Sequence, residues 1–249
     1  MLKRLIFVPP TTPVMRFAAK ELALVGCEIT DTPCPGMTHL LLPVPCRLDS
    51  DRLYQLLDQV NLEVTVLGGF LDRPELSGYK CVDLLKDERY QAENAMITAY
   101  CALQTGANAL PVIWKDCPVL ILGWGRIGKC LSKRLQALDA RVSVAARKQT
   151  DLAMITALGM EAQPIADLTD ALKHCRVIFN TVPCPVLSRA QAALCRPDCI
   201  MVELASKAGI DADGVIDGRG LPGKLAPEST GKLIAQTVLR LCVLKEEDI

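Results

Sequence analysis

The sequence has few aromatic residues, no excess charge of either sign, no long apolar run and only two histidines. Phe, Trp and Tyr make up 4% of the 249 residues. A core dominated by aromatic clusters is excluded, so the interior must come from Leu, Val, Ile and Ala, the mix of parallel sheets covered by helices. Lys plus Arg number 28, and so do Asp plus Glu. The large electrostatic drive for nucleic-acid binding is therefore missing from the chain as a whole. No stretch reaches the ~18 consecutive apolar residues of a membrane helix. The apolar part of residues 1–10 is too short for a signal-peptide core and is expected to form a first buried strand.

Cysteine is plentiful, at 12 positions, yet no pair has Cys-x-x-Cys spacing, and the nearest pair is Cys195 and Cys199. With only His39 and His174 to complete a ligand set, no metal site is expected. Most of the cysteines lie in apolar runs, where the thiol acts as a small hydrophobe. The chain is read as cytoplasmic, with reduced thiols.

Half of the residues are hydrophobic and 22% are charged, so a sizeable core can form and overall disorder is excluded. The length suits two compact domains. Short apolar runs, turns and amphipathic segments alternate throughout, an α/β rhythm. Strands are expected at 5–8, 27–30, 39–44, 62–67 and 80–85, and helices at 13–25 and 51–60. A long helix is expected over 87–105, stopped by Gly106. Further strands are expected at 118–122, 141–145, 160–163, 176–179 and 199–204, interleaved with helices. The fold class is α/β with two doubly wound parallel-sheet domains, a flavodoxin-like one followed by a Rossmann dinucleotide-binding one. The domains are expected at 1–106 (substrate side) and 107–228 (dinucleotide side). The last segment, 229–249, is read as a helix that either stays on the second domain or returns to the first.

Gly123-Trp124-Gly125-Arg126-Ile127-Gly128 stands between an apolar strand and a helix, with a second strand within thirty residues. That context turns a weak pattern into a dinucleotide fingerprint. Gly123 permits the tight turn, Gly125 lets backbone approach a pyrophosphate, and Gly128 lets helix and strand pack closely. The helix N-terminus offers free N–H groups and a positive dipole end to the phosphates. An NAD site holds a carboxylate about 20 residues further on. Here the second strand ends in Ala145-Ala146-Arg147-Lys148, two cations suited to a 2′-phosphate, so the cofactor is read as NADP. Two more strand ends are candidates to flank the nicotinamide: Asn180-Thr181-Val182-Pro183 and Leu204-Ala205-Ser206-Lys207. Ordinary turn chemistry is the plain alternative for both.

Ala92-Glu93-Asn94-Ala95, the glycine fingerprint, Ala146-Arg147-Lys148, Phe179–Pro183, Leu204–Lys207 and Gly220-Leu221-Pro222-Gly223-Lys224-Leu225-Ala226-Pro227 together resemble the A subunits of dipicolinate synthase. The resemblance covers roughly residues 80–245. It implies a two-domain dehydrogenase related to alanine and 2-hydroxyacid dehydrogenases. It also implies NADP-dependent oxidation of a dihydrodipicolinate-type precursor to dipicolinate, on a branch of the lysine pathway during endospore formation. A flavoprotein-like B subunit is the implied partner, and the oligomeric state stays open, a homo-oligomer included. Two departures stand out: Thr98-Ala99-Tyr100-Cys101 where the family carries Thr-Ala-Glu-Gly, and Ala226-Pro227-Glu228-Ser229-Thr230-Gly231 where it carries Ala-Pro-Lys-Thr-Ala-Gly.

The implied substrate is a small dicarboxylate and needs cations or helix N-termini. Lys207 and Lys224 are the candidate charges, Ser206, Ser229 and Thr230 the candidate donors, and Asn94 and Thr98 candidates to orient the ring. Glu228 belongs to the same candidate set. No residue identifies itself as the base. The plain alternatives are solvation and helix capping, and Ser229 has the chemistry of an N-cap. Three rival functions stand beside this one. A 2-hydroxyacid dehydrogenase needs a histidine acid/base, and both histidines are read as surface residues. An amino-acid or imine dehydrogenase is permitted by Leu221-Pro222-Gly223. The third is a non-catalytic NADP-binding scaffold.

Overall fold

The structure, a computed structural model, describes residues 4–243. Residues 1–3, at the start of the expected first strand segment, and 244–249, at the end of the expected last helix, lie outside the described residues. The chain divides into two compact units. One holds the described residues up to Asn94 together with those from Pro222 onward, and the other is Ala95–Leu221.

The first unit begins with β1 (Leu5–Phe7), α1 (Pro13–Leu24), β2 (Glu28–Thr30), β3 (His39–Leu41), α2 (Ser50–Leu57), β4 (Thr65–Gly68) and β5 (Lys80–Asp83). The sheet is parallel throughout, in the order β2-β1-β3-β4-β5, the flavodoxin-like order. Its core is aliphatic, as the composition requires: Leu40, Leu42, Leu53, Val64 and Val66 are buried together with a single Phe, Phe7. Local chemistry sets the helix ends. The Thr12 hydroxyl accepts from Met15 N at 3.3 Å and Pro13 opens α1. Gly26 follows its end with φ +90°, a left-handed conformation that suits glycine. Asp49 caps α2 by accepting from Arg52 N at 2.8 Å.

Next comes α3 (Glu88–Ala109), within which the division between the units falls. Gly106 does not stop this helix, contrary to the sequence expectation. A Cβ on Gly106 would lie 2.9 Å from both Phe179 and Trp114. Glycine is there to let side chains pack against the helix backbone. The helix ends before Leu110-Pro111 instead, since the residue before a proline avoids the helical region.

The second unit holds β6 (Pro118–Leu122), α4 (Arg126–Gln136), β7 (Arg141–Ala146), α5 (Gln149–Ala157), β8 (Glu161–Pro164), α6 (Thr169–His174), β9 (Val177–Asn180), α7 (Arg189–Ala192), β10 (Ile200–Glu203) and β11 (Ile216–Asp217). All six strands are parallel, in the order β11-β10-β9-β6-β7-β8. This is the doubly wound dinucleotide-binding order, with its switch point between β6 and β9. Val119–Leu122, Val177–Phe179 and Val202 are buried, so the central strands read as continuous apolar runs.

The chain ends in α8 (Leu221–Leu225) and α9 (Pro227–Val238), followed by a π-helical stretch, Leu239–Val243. Ser229 is not an N-cap: α9 starts at Pro227 with Ala226 at the cap position, because proline fills the first helical position two residues earlier. Within the first unit α9 packs on α1. A Cβ on Gly231 would come within 2.6 Å of Phe17 Cβ and 2.8 Å of the Ala18 nitrogen. The Arg240 guanidinium then reaches Asp87, at 2.6 Å and 3.2 Å.

Candidate functional site

In an open parallel sheet, ligands sit beyond the carboxyl ends of the strands, at the switch point. Four strand ends of the second unit meet that description: those of β6, β7, β9 and β10. The turn after β6 runs through Gly123, which has φ +104° and no room for a side chain, since a Cβ would lie 2.6 Å from Thr181 Oγ1. A Cβ on Gly128 would collide with the Gly123 carbonyl, so α4 lies tight against the turn. Gly125 differs from both. It is the N-cap of α4, and a Cβ there would meet nothing within 4 Å. The protein leaves open space where a phosphate would approach the first turn of α4. Trp124 is half-buried, with the Lys129 ammonium 5.7 Å from its ring centroid. Ile127 is half-buried and Arg126 exposed.

Beyond β7, Arg147 and Lys148 are exposed, and neither forms an ion pair among the described residues. No carboxylate stands in Val144–Lys148, where an NAD site would hold one.

The ends of β9 and β10 are joined by a network absent from the sequence reading. Asn180 is fully buried, at 0% exposure, and Glu203 is 4% exposed. The Asn180 amide donates to both Glu203 oxygens, at 2.8 and 3.1 Å, and to the Val182 carbonyl at 3.1 Å. Its oxygen accepts from Val182 N at 2.9 Å. The Glu203 carboxylate also accepts from the backbone N–H groups of Ala205, Gly209 and Ile210, at 3.1, 2.7 and 3.3 Å. One buried carboxylate thus shapes the loop after its own strand and ties it to the loop after β9. Gly209 belongs to the same construction, because a Cβ there would sit 2.5 Å from Asn180 Nδ2. The sequence did contain a signal, a lone charge inside the apolar run Ile200-Met201-Val202-Glu203-Leu204.

The candidates divide accordingly. Asn180 faces inward, and the half-buried Thr181 donates its hydroxyl to the Leu122 carbonyl at 2.9 Å. Val182 is half-buried and Pro183 exposed. Leu204 and Ala205 are buried, whereas Ser206 and Lys207 are exposed at the loop tip. Thr98 lies in the second unit and is buried on α3. The first unit carries the rest. Asn94 is half-buried on α3, Lys224 exposed on α8, and Glu228 and Ser229 exposed on α9. Glu228 accepts from the Lys232 ammonium at 3.2 Å. Thr230 is buried and donates to the Ala226 carbonyl at 2.9 Å. Tyr100, one of the departures, is exposed, with the Arg134 guanidinium carbon 4.1 Å from its ring centroid.

Neither histidine stands at the carboxyl end of a strand. His174 ends α6, exposed, 3.6 Å from Asp170. His39 begins β3 and bonds the Thr38 hydroxyl at 2.8 Å, and burial lowers its pKa.

Residues 84–217 match the family model for the D-isomer specific 2-hydroxyacid dehydrogenase, NAD binding domain. The chain is 30% identical over 244 residues to the A subunit of dipicolinate synthase from Bacillus subtilis (strain 168), across 87% of this chain and 82% of the relative. The crystal structure of the dipicolinate synthase A subunit from Bacillus halodurans aligns with a TM-score of 0.81 at 19% identity, covering 97% of this chain and 98% of that one. The crystal structure of its Bacillus subtilis counterpart aligns at 0.78 with 20% identity, covering 96% and 95%. Those two structures bear on the fold, and the sequence match bears on kinship. The chain belongs to the family of dipicolinate synthase A subunits, as an oxidoreductase with a nicotinamide-dinucleotide-binding domain of the 2-hydroxyacid dehydrogenase type.

Proposed function

We propose that this protein oxidises a dihydrodipicolinate-type precursor to dipicolinate with NADP as acceptor, as the A component of a cytoplasmic synthase whose second component is a flavoprotein-like B subunit. The observation that carries the cofactor reading is the exposed Arg147-Lys148 pair at the end of β7, unpaired among the described residues. The reaction is supported by the 30% identity to the A subunit of a dipicolinate synthase.

Bound NADP supplies a hydride acceptor. The residues of this chain do the rest. The first turn of α4 binds the pyrophosphate through backbone N–H groups, with Gly125 giving it room. Arg147 and Lys148 bind the 2′-phosphate, the guanidinium through paired bonds. The loops 180–183 and 204–207, held in register by Glu203, flank the nicotinamide. Lys207 and Ser206 take a substrate carboxylate. Asn94, Thr98, Lys224, Glu228, Ser229 and Thr230 are the further substrate-side candidates, carried by α3, α8 and α9. Oxidation removes a hydride and a proton and leaves an aromatic ring, so aromaticity supplies the driving force and the protein chiefly positions.

The test is a spectrum. With precursor and NADP, the ultraviolet band of dipicolinate should grow together with the NADPH band. NADPH formed only from amino acids or hydroxy acids would overturn the reaction. For the cofactor, NADP should bind several-fold more tightly than NAD. Arg147→Asp should cost NADP roughly 1.5–3 kcal/mol, the range for hydrogen bonds to charged groups. Equal affinities for the two nucleotides in the unmodified protein, by titration calorimetry, would refute the NADP assignment.

A further inference from the structure

Three cysteines that are scattered in the sequence meet at the opposite end of the second sheet. Cys175 caps the end of α6, Cys195 follows α7, and Cys199 leads into β10. Val177 of β9 pairs with Ile200 of β10, so Cys175 and Cys199 stand side by side just before the strands begin. The Sγ atoms of all three lie within 4.8 Å of one another, and those of Cys175 and Cys199 are 3.9 Å apart. Cys175 is buried and the other two are half-buried. It lies at the amino ends of β9 and β10, whereas the dinucleotide loops lie at their carboxyl ends.

Backbone hydrogen bonds and ion pairs hold the segments that carry these sulfurs. Ile200 N donates to the Arg176 carbonyl at 2.9 Å, and Cys199 N to the Arg196 carbonyl at 3.0 Å. Asp198 accepts from Arg176 at 3.0 Å and from Arg196 at 3.0 Å. The Arg176–Asp198 pair clamps together the two segments that carry Cys175 and Cys199.

We propose that Cys175, Cys195 and Cys199 form a three-thiolate site for one zinc(II) ion, with the fourth position open to water or a small donor. Two sulfurs each about 2.3 Å from zinc in a tetrahedral arrangement lie about 3.8 Å apart, close to the 3.9 Å between Cys175 and Cys199. Soft thiolates select such thiophilic ions. Charge favours the divalent ion over copper(I). Three thiolates and zinc(II) sum to −1, and Arg176, Arg196 and Asp198 on the same two segments sum to +1. Binding is written as three thiols giving one proton each to solvent as three sulfur–zinc bonds form, with no change of oxidation state.

The test uses the full chain, reduced and stripped of metal. Cobalt(II) is the coloured probe and zinc(II) the competitor. One equivalent of cobalt should produce a thiolate-to-metal charge-transfer band that one equivalent of zinc abolishes, and zinc should raise the unfolding temperature. Cys199→Ala should weaken binding by more than the roughly 10- to 100-fold typical of an outer-shell change. Cys195→Ala, at a half-buried position, is the second variant in case the first fails to fold, and thermal unfolding checks both. Cys81→Ala and Cys184→Ala, exposed and outside the cluster, should leave the band unchanged. Absence of the band at one equivalent, its persistence in folded Cys195→Ala or Cys199→Ala, or uptake of copper(I) with none of zinc would overturn the proposal.

Discussion

On the proposed binding mode Gly125 is the most direct test of nucleotide binding, because it is the glycine of the fingerprint at which an added Cβ would meet nothing within 4 Å. Gly125→Val should leave the circular dichroism spectrum intact and abolish NADP binding. Normal binding by the folded variant would place the nucleotide elsewhere. Lys207 is the residue proposed to take a substrate carboxylate. It is exposed at the tip of the loop after β10 and pairs with no carboxylate among the described residues. A charge-assisted bond from it to a substrate carboxylate is worth about 1.5–3 kcal/mol. Lys207→Ala should therefore lower kcat/KM for dipicolinate formation roughly 10- to 150-fold, at a tenfold loss per 1.36 kcal/mol. NADP affinity should stay the same. Lys207→Arg should recover little, since a planar fork differs in reach and shape from an ammonium. Unchanged kinetics in Lys207→Ala would make the lysine a solvated loop residue.

At the level of elements, β9 and β10 do more than fill the sheet. Their carboxyl ends are coupled through Asn180 and Glu203, and the carboxylate accepts three backbone N–H groups besides the amide. Glu203→Gln keeps the shape but replaces an acceptor by a donor that faces other donors. The variant should lose roughly 1.5–3 kcal/mol of stability, read as a lower denaturation midpoint with unchanged slope. An unchanged midpoint would mean that the loops hold themselves. The candidate site was legible where it is local. A glycine pattern between a strand and a helix reports its own context within six residues, and Arg147-Lys148 lies one strand away. Glu203 was not legible in the same way, because Asn180 meets it only when β9 and β10 pair, and the loop that turns the backbone of Gly209 and Ile210 back onto it has no periodic pattern.

Across the whole chain, the last described segment closes on the first unit through the Arg240–Asp87 pair, 153 residues apart in sequence. The hydrogen bonds from Arg240 are the main reason the Asp87 carboxyl is held below its ordinary pKa. A carboxyl whose pKa is lower folded than unfolded adds stability above the unfolded value, near 3.9. That stability is lost as pH falls through the folded value. Asp87→Asn should thus destabilise the protein at neutral pH by on the order of 1 kcal/mol, the upper end for an ion pair within reach of water. The difference from the parent protein should vanish toward pH 2 in thermal unfolding. A deficit that is the same at both pH values would show that charge plays no part.

The sequence alone determined the class of fold, because apolar periodicity, Gly26 after α1, Pro118 at the start of β6 and the glycine fingerprint are short-range chemistry. The two parallel sheets follow from that rhythm. Gly106 misled as a helix stop, since a glycine that ends a helix and one that admits a neighbouring ring look the same until Trp114 and Phe179 are packed on it. Ser229 misled as a cap because Pro227 had already opened α9. The short elements β11 and α8 hid in a glycine-rich stretch with no periodicity to read. Only the tertiary structure decided which distant residues meet: Glu203 with Asn180, Gly231 with Phe17, and Cys175 with Cys195 and Cys199. Parallel pairing joins strands far apart in sequence, and no local pattern records which side chains it brings to one end of the sheet.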